Sequence, residues 1–123
     1  IASGSLGHGL PIAVGIRLAL RAKGNPRSRV FVLLGDAELG EGSHHEAIAL
    51  AGRMGLGGRV AVVIDHRSAS HGWPGGIGAR FEVEGWDARE VDGRDHDAIE
   101  RALESGTSDR PLVVVARVEP KGT

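Results

Sequence analysis

Polar residues able to hold a metal ion or a phosphate follow two apolar segments of the sequence. Gly35 and Asp36 come directly after the segment 30–34, and Asp65 and His66 come directly after the segment 60–64. Segments this short and apolar are typical of strands buried on both faces of a parallel sheet. In open α/β sheets, ligands bind in the crevice outside the carboxyl ends of the strands. The placement therefore predicts that Asp36, Asp65 and His66 lie at a ligand site, such as one for a metal-held phosphate.

Each of these residues has a structural interpretation beside the chemical one. A carboxylate on a loop at a strand end suits a hard cation such as Mg²⁺ or Ca²⁺. The alternative for Asp36 is that it caps the next helix, although that helix is predicted to begin only at Ser43. For His66 the alternative is a histidine that is hydrogen-bonded within the fold and binds nothing.

A glycine-rich segment, 4–9, precedes the first predicted helix. Backbone N–H groups at the amino end of a helix bind anions, so the segment is a second candidate for phosphate contact. It lacks the Gly-Lys-Ser/Thr of a P-loop, and no strand precedes it in this sequence as in the dinucleotide fingerprint. A purely structural turn is an equally good interpretation.

The first predicted helix, Leu10 to Ala22, is apolar on almost every side. Pro11 suits its first turn, and Gly24 suits the position just after its end. A helix that is apolar all round is buried on more than one side. We therefore expect its own sheet to cover one side and another chain to cover the other.

The remaining elements alternate between strand and helix. Ser43 and Glu46 match a capping box that opens the second helix, which would place His44 and His45 on the surface. Further elements are predicted as strands at 30–34, 59–64, 86–91 and 111–118, a short helix within 77–85 and a helix at 97–104, with an irregular stretch at 65–78. This alternation predicts an α/β fold, a three-layer α/β/α sandwich with a mostly parallel sheet.

The composition is that of a single globular domain. The 123 residues carry a net charge of −1 and no cysteine, which excludes disulfides and thiol chemistry and fits a cytoplasmic protein. The basic residues near the end of the first helix lack interleaved aromatic residues, so a solvated face is favoured over a nucleic-acid site. No apolar stretch approaches the ~20 residues that a membrane span needs, and no signal peptide is visible. Because Ile1 lies in a stretch typical of a domain interior, we expect further sequence of the domain to precede it.

Four segments together resemble the thiamine diphosphate-binding domain of transketolases, and most of all the N-terminal subunit of split, two-gene transketolases. The segment 4–10 (GSLGHGL) is similar to the family's G-[SP]-L-G-[HQ]-G, and 30–43 (VFVLLGDAELGEGS) to its VFVLLGDGELxEGxxWEA. The segment 86–95 is similar to the family's GWxxxxVDGHD, and 111–122 to its terminal strand and Lys-Gly-containing tail.

The resemblance implies a cofactor site with a divalent ion, Mg²⁺ or Ca²⁺, that bridges the diphosphate. Asp36 matches the family's metal-binding aspartate, His66 falls at its metal-binding asparagine, and Ser68 falls at the residue whose carbonyl completes the site. The residues implied to border the cofactor are Gly4, Leu6, Gly7, Gly35, Asp36, Ala37, Glu41 and His66.

Three positions depart from the family pattern. The imidazole of His66 suits transition metals such as Mn²⁺ better than hard cations. Ala37 stands where the family has a glycine, at a position that requires either close approach to phosphate or a positive φ. Arg67 replaces the glycine that follows the family's asparagine, and its guanidinium is able to contact a diphosphate directly.

The resemblance also implies a function and partners. Transketolases move a two-carbon ketol unit between sugars, and a second subunit or domain supplies the glutamate that activates the pyrimidine ring. Glu41 and Glu46 match the acidic pair that links two active sites, which implies a homodimer or heterotetramer. Two alternatives remain: a degenerate, non-catalytic assembly subunit, or another thiamine enzyme of the dehydrogenase E1 or deoxyxylulose-phosphate synthase type.

Overall fold

Four parallel strands form the sheet in the computed structural model, which describes residues 1–68 and 72–120. The segment 69–71, within the irregular stretch, and the tail 121–123, at the end of the fourth matching segment, lie outside the described residues. The elements in chain order are α1 (Gly9–Ala22), β1 (Val30–Gly35), α2 (Gly42–Arg53), β2 (Arg59–Asp65), α3 (Ile77–Glu82), β3 (Asp87–Asp92), α4 (His96–Glu104) and β4 (Leu112–Arg117), with a short 3₁₀ helix at Ala37–Gly40. The strands lie in the order β1-β2-β4-β3, and every neighbouring pair is parallel.

Helices cover both faces of this sheet, which confirms the α/β sandwich. The larger apolar core lies on the face of α1, α2 and α3 and includes Leu10, Ile48, Phe81 and Trp86. The smaller core lies under α4 and contains Val60, Ala102, Leu112 and Val114. On that second face Leu33, on the edge strand β1, remains 69% exposed.

The capping box predicted for the second helix is wrong. Helix α2 begins at Gly42 with Glu41 at the N-cap position, and no side chain caps it. The hydroxyl of Ser43 instead donates to the carbonyl of Gly7 at 2.6 Å. Ser43 therefore holds the glycine-rich segment against α2, and Glu46 has no capping role.

Helix α1 buries one face within this chain. Leu10, Ala13, Val14 and Arg17 are buried, whereas Ile12 and Ile16 are 43% and 40% exposed. The sheet thus covers one side of α1, as predicted, and Ile12 and Ile16 lie on its outer side. Within the described ranges, no helix combines the length and apolarity required to cross a bilayer.

Candidate functional site

The loops that follow β1 and β2 lie side by side at the carboxyl edge of the sheet. Gly35 is in register with Ile64, and the backbone N–H of Asp36 donates to the carbonyl of Ile64 at 3.1 Å. The two polar strand ends therefore meet at one edge, because parallel neighbouring strands end together.

Asp36 and Ser68 make two close polar contacts at this edge. The Asp36 side chain is buried, with 2% of the residue exposed. The backbone N–H of Ser68 donates to Asp36 Oδ2 at 2.6 Å, and the Ser68 hydroxyl donates to Oδ1 at 2.7 Å. Although Asp36 stands at the N-cap position of the 3₁₀ helix, its side chain makes no capping bond there. The carboxylate therefore ties the first loop to the second.

The ring of His66 is bound just beyond the end of a different strand, β4. Its Nδ1 lies 3.1 Å from the carbonyl oxygen of Glu119, just beyond β4. Since a carbonyl only accepts, Nδ1 carries the proton, and Nε2 of the neutral ring keeps its lone pair. This is the second-sphere arrangement usual for a metal-binding histidine, and it also satisfies a purely structural one.

A cavity of about 190 Å³ opens beside Asp36. Its lining consists of Asp36, Asp65, Arg67, Gly72, Trp73, Gly76 and Ile77. Trp73 lines this cavity, but its indole N–H is closed off from solvent and has no acceptor among the described residues. Sequence patterns offer little reason to single out Trp73, because an isolated tryptophan among glycines and a proline has no characteristic spacing.

Arg67 has an unusual backbone in this wall. Its φ is +53°, and it is the single non-glycine residue with positive φ in the described part of the chain. Its N–H donates to Asp65 Oδ1 at 2.8 Å. This conformation favours glycine, which accounts for the glycine at the corresponding position of the family motif.

The glycine-rich segment is docked on the start of α2. Gly7 is buried with φ +86°, and a Cβ there would lie 2.7 Å from Ser43 Oγ and 3.1 Å from the Cβ of Glu41. Gly4 and Leu6 are exposed, and neither they nor Gly7 line the Asp36 cavity. Glycine is thus required at position 7 by the fold, while Gly4 and Leu6 face solvent.

Ala37 and the two predicted acidic residues are also exposed. Ala37 is the first residue of the 3₁₀ helix and has a negative φ. The prediction that this position needs glycine for a positive φ is therefore wrong, and close approach to phosphate is the remaining reason. Glu41 and Glu46 lie in and just before the first turns of α2, with both side chains exposed.

His44 differs from its predicted surface position, because it is completely buried beneath the first loop. Burial lowers the pKa of His44, and the nearby charge of Glu38 only partly opposes this. Its Nε2 lies 3.8 Å from Glu38 Oε1, too far for a hydrogen bond, while Glu38 Oε2 accepts from the N–H of Gly35 at 3.1 Å. His44 is therefore a neutral core residue.

His45, the next residue, is half-buried and packs against Trp73 with ring centroids 5.7 Å apart.

The ligand set for a metal ion is only partly assembled. Over residues 1–68 and 72–120, no three His, Asp or Glu side chains converge on one point. Asp36 and Ser68 supply oxygen atoms, but both carboxylate oxygens of Asp36 already accept hydrogen bonds from Ser68. The site thus offers one buried carboxylate and the backbone and hydroxyl of Ser68, while the ring of His66 is bound beyond the end of β4.

Comparison with known families gives a match over nearly the whole chain. The family model described as the thiamine diphosphate-binding domain of transketolase matches residues 1–119. One of the subunits of apulose-4-phosphate transketolase from Actinobacillus succinogenes is 34% identical over 121 residues, which cover 93% of this chain and 44% of that protein. A protein named ferredoxin fas2 from Rhodococcoides fascians is 52% identical over 118 residues, covering 96% and 39%.

Solved structures give the same result. Transketolase from Pichia stipitis in complex with sedoheptulose-7-phosphate superposes with a TM-score of 0.82 at 29% identity, covering 94% of this chain and 20% of that one. Transketolase from Campylobacter jejuni superposes with a TM-score of 0.81 at 28% identity. The chain spans 39% to 44% of the length of the first curated relatives and about one fifth of these solved chains.

Proposed function

Since this chain belongs to the transketolase family through its thiamine diphosphate-binding domain, we propose that it is the diphosphate-binding part of a transferase that moves a two-carbon ketol unit between sugars. The observation that carries this proposal is the buried carboxylate of Asp36, which lies at the carboxyl end of β1 and is tied to Ser68 after β2. Both residues stand at the positions where the family motif holds its metal ion.

The chain's contribution is to bind and orient the cofactor. Gly35, Asp36, Ala37 and His66 would border the diphosphate at the edge formed by the two loops, and Gly4, Leu6, Gly7 and Glu41 would border the cofactor at the start of α2. When bound, thiamine diphosphate supplies the carbanion chemistry of ketol transfer. The packed side of the edge excludes water from Asp36, which is 2% exposed.

The residues at this edge fit a divalent ion in part. Asp36, Ser68 and His66 are the proposed ligands, and the protonated Nδ1 of His66 leaves Nε2 for the metal. A site with one imidazole suits Mn²⁺ better than Mg²⁺ or Ca²⁺. Each oxygen of Asp36 accepts one hydrogen bond from Ser68, and a carboxylate oxygen has a second lone pair with which to bind an ion.

The proposed enzyme is an assembly of more than one chain or domain. A separate subunit or domain supplies the glutamate that activates the pyrimidine ring, and the relative named as one subunit of a transketolase supports a split arrangement. Exposed Ile12 and Ile16 on α1, and exposed Glu41 and Glu46 beside α2, form the surface proposed for a homodimer or heterotetramer contact. A sugar phosphate is the proposed substrate, as in the Pichia stipitis complex.

Direct measurement of cofactor binding tests the proposal. In equilibrium dialysis of the full-length protein with its partner chain, we expect thiamine diphosphate to bind and Asp36→Ala to abolish that binding. The matched control is Asp92→Ala, because exposed Asp92 ends β3 as Asp36 follows β1. Absence of binding by the unmodified protein under every metal condition would contradict the function.

A degenerate assembly subunit is the second candidate. The observation that favours it is that Asp36 accepts two hydrogen bonds from Ser68 and that the ring of His66 is bound to the carbonyl of Glu119. Such a subunit would co-purify with its partner and bind no thiamine diphosphate, whereas the enzyme part does both.

A further inference from the structure

We propose that Arg67 binds the diphosphate directly and replaces part of the positive charge that a metal ion supplies at this edge. The inference rests on the proposed function, because it assigns a diphosphate ligand to the same site. It concerns a residue at which this chain departs from the family motif, where glycine follows the metal-binding asparagine.

The backbone of Arg67 is held in an unfavourable conformation from both sides. Its φ of +53° is one that side-chain-bearing residues seldom adopt. Its own N–H is bound to Asp65, and the next residue is bound twice to Asp36. Strained conformations that are fixed by their surroundings are concentrated at ligand-binding sites. The strain at Arg67 therefore supports a role in ligand binding.

The side chain stands between two cavities. Arg67 lines the 190 Å³ cavity beside Asp36 and also an open cavity of about 620 Å³ along the ends of β3 and β4. The larger cavity contains two other arginines, but Arg94 pairs with Glu119 and Arg117 pairs with Glu90. The exposed guanidinium of Arg67 forms no ion pair within the described ranges, so its charge is available to an anion at this edge.

Arg67 is the one cation among the described residues that line the 190 Å³ cavity. Both oxygens of Asp36 accept hydrogen bonds from Ser68, and the protonated nitrogen of His66 is used by Glu119. A guanidinium presents paired N–H donors that match the spacing of phosphate oxygens. Arg67 at the cavity wall therefore gives the diphosphate donors that need no metal ion.

Equilibrium dialysis with thiamine diphosphate in EDTA and in Mn²⁺ tests this role on the full-length protein. We expect the unmodified protein to bind thiamine diphosphate in EDTA, and Arg67→Asn to weaken that binding by about 10- to 100-fold, the effect of a lost charged hydrogen bond. Asparagine tolerates positive φ, so this variant removes the charge without adding strain. In Mn²⁺ the loss should be smaller, and binding of thiamine without its diphosphate should not change.

Two further variants separate the local contact from general charge. Arg67→Lys keeps the charge without the paired donors and should recover part of the affinity. Arg89→Asn is the matched control, because Arg89 on β3 is exposed and its guanidinium donates to the carbonyl of its neighbour Ala88. It should leave the affinity unchanged in both conditions.

The outcomes distinguish the inference from the function on which it rests. If Arg67→Asn binds thiamine diphosphate as the unmodified protein does in EDTA, or if the unmodified protein binds only with metal, then Arg67 does not replace the charge of a metal ion, and the inference is overturned while the proposed function stands. If the unmodified protein binds thiamine diphosphate under no condition, both are overturned. Should Arg67→Asn not fold, Arg67→Gly makes the same test, because glycine adopts the required φ freely.

Discussion

The two loops at the carboxyl edge of the sheet belong to one motif but differ in how the fold holds them. The loop after β1 is packed: Asp36 is buried, Leu39 is 1% exposed, and no residue in it requires glycine for its φ. In the loop after β2, Arg67 and Ser68 are exposed, and Arg67 has a strained backbone. In the loop after β1, packing against the core limits which residues fit. In the loop after β2, only the ligand and the backbone conformation limit which residues fit. Of the three departures from the family pattern, His66 and Arg67 lie in the second loop and Ala37 is an exposed residue of the first, so none of them replaces a fully buried residue.

The largest expected effect comes from breaking the packed loop at Asp36. Asp36→Ala removes the acceptor for two hydrogen bonds from Ser68 and the proposed metal ligand. We expect thiamine diphosphate affinity to fall by at least about 100-fold, or about 2.7 kcal/mol. The free energy of unfolding should fall by about 1–3 kcal/mol, because a donor loses its partner. Dialysis and chemical denaturation measure the two effects.

A conservative variant sharpens this result. Asp36→Asn keeps one acceptor oxygen and removes the charge, so most of the stability should return while the affinity stays low. If both variants bind the cofactor normally, the packed loop has only a structural role.

The next effect is a change of metal preference at the exposed loop. His66→Asn restores an oxygen ligand where this chain has an imidazole, which suits hard cations. We expect the ratio of Mg²⁺- to Mn²⁺-supported cofactor affinity to rise by about tenfold, or about 1.4 kcal/mol. Titrations with each metal measure the ratio. An unchanged ratio would mean that His66 serves only to bind Glu119.

The pH dependence of the free energy of unfolding should come from the buried residue His44. Because burial lowers the pKa of His44 below its unfolded value of 6.5, the unfolded chain binds more protons than the folded one just below that pH. Stability therefore falls as the pH drops below about 6.5, with a slope of at most about 1.4 kcal/mol per pH unit from this group.

Matched histidine variants test the source of that slope. Denaturation midpoints at several pH values should show that His44→Gln flattens the dependence. His96→Gln should leave it unchanged, because His96 is exposed at the start of α4. A slope that survives His44→Gln would have another origin.

Sequence patterns are most informative where burial dictates residue type. The predicted limits of strands β1, β2 and β4 agree with the structure to within a residue or two, because apolar runs are required inside a parallel sheet. The prediction fails at the start of α2: Ser43 has the sequence position of a cap, but its hydroxyl satisfies Gly7 across a gap of 36 positions. The burial of His44 and the contact of His66 with Glu119 likewise depend on partners distant in the sequence, which local patterns do not reveal.

A smaller effect is expected from relieving the strain at Arg67. Arg67→Gly removes a left-handed conformation that costs a side-chain-bearing residue about 1–2 kcal/mol. The greater flexibility of glycine in the unfolded chain offsets about 0.5–1 kcal/mol of this. We expect a net gain in unfolding free energy of about 0.5–1 kcal/mol by denaturation, together with the loss of metal-free cofactor binding. A loss of stability would mean that the side chain makes stabilising contacts in the folded protein.

The smallest effect is expected at Ala37, and its sign is opposite. Ala37→Gly also restores a family glycine, but Ala37 has a negative φ at the start of the 3₁₀ helix, so glycine should lower the unfolding free energy by about 0.5–1 kcal/mol. Close approach of the diphosphate is then the remaining reason for glycine, and removal of the Cβ should raise thiamine diphosphate affinity by about threefold, or about 0.6 kcal/mol. Parallel denaturation and dialysis measurements on both glycine variants make the comparison directly. If Ala37→Gly leaves affinity unchanged, Ala37 does not border the cofactor; if it raises stability, the two loops do not differ in backbone strain as described.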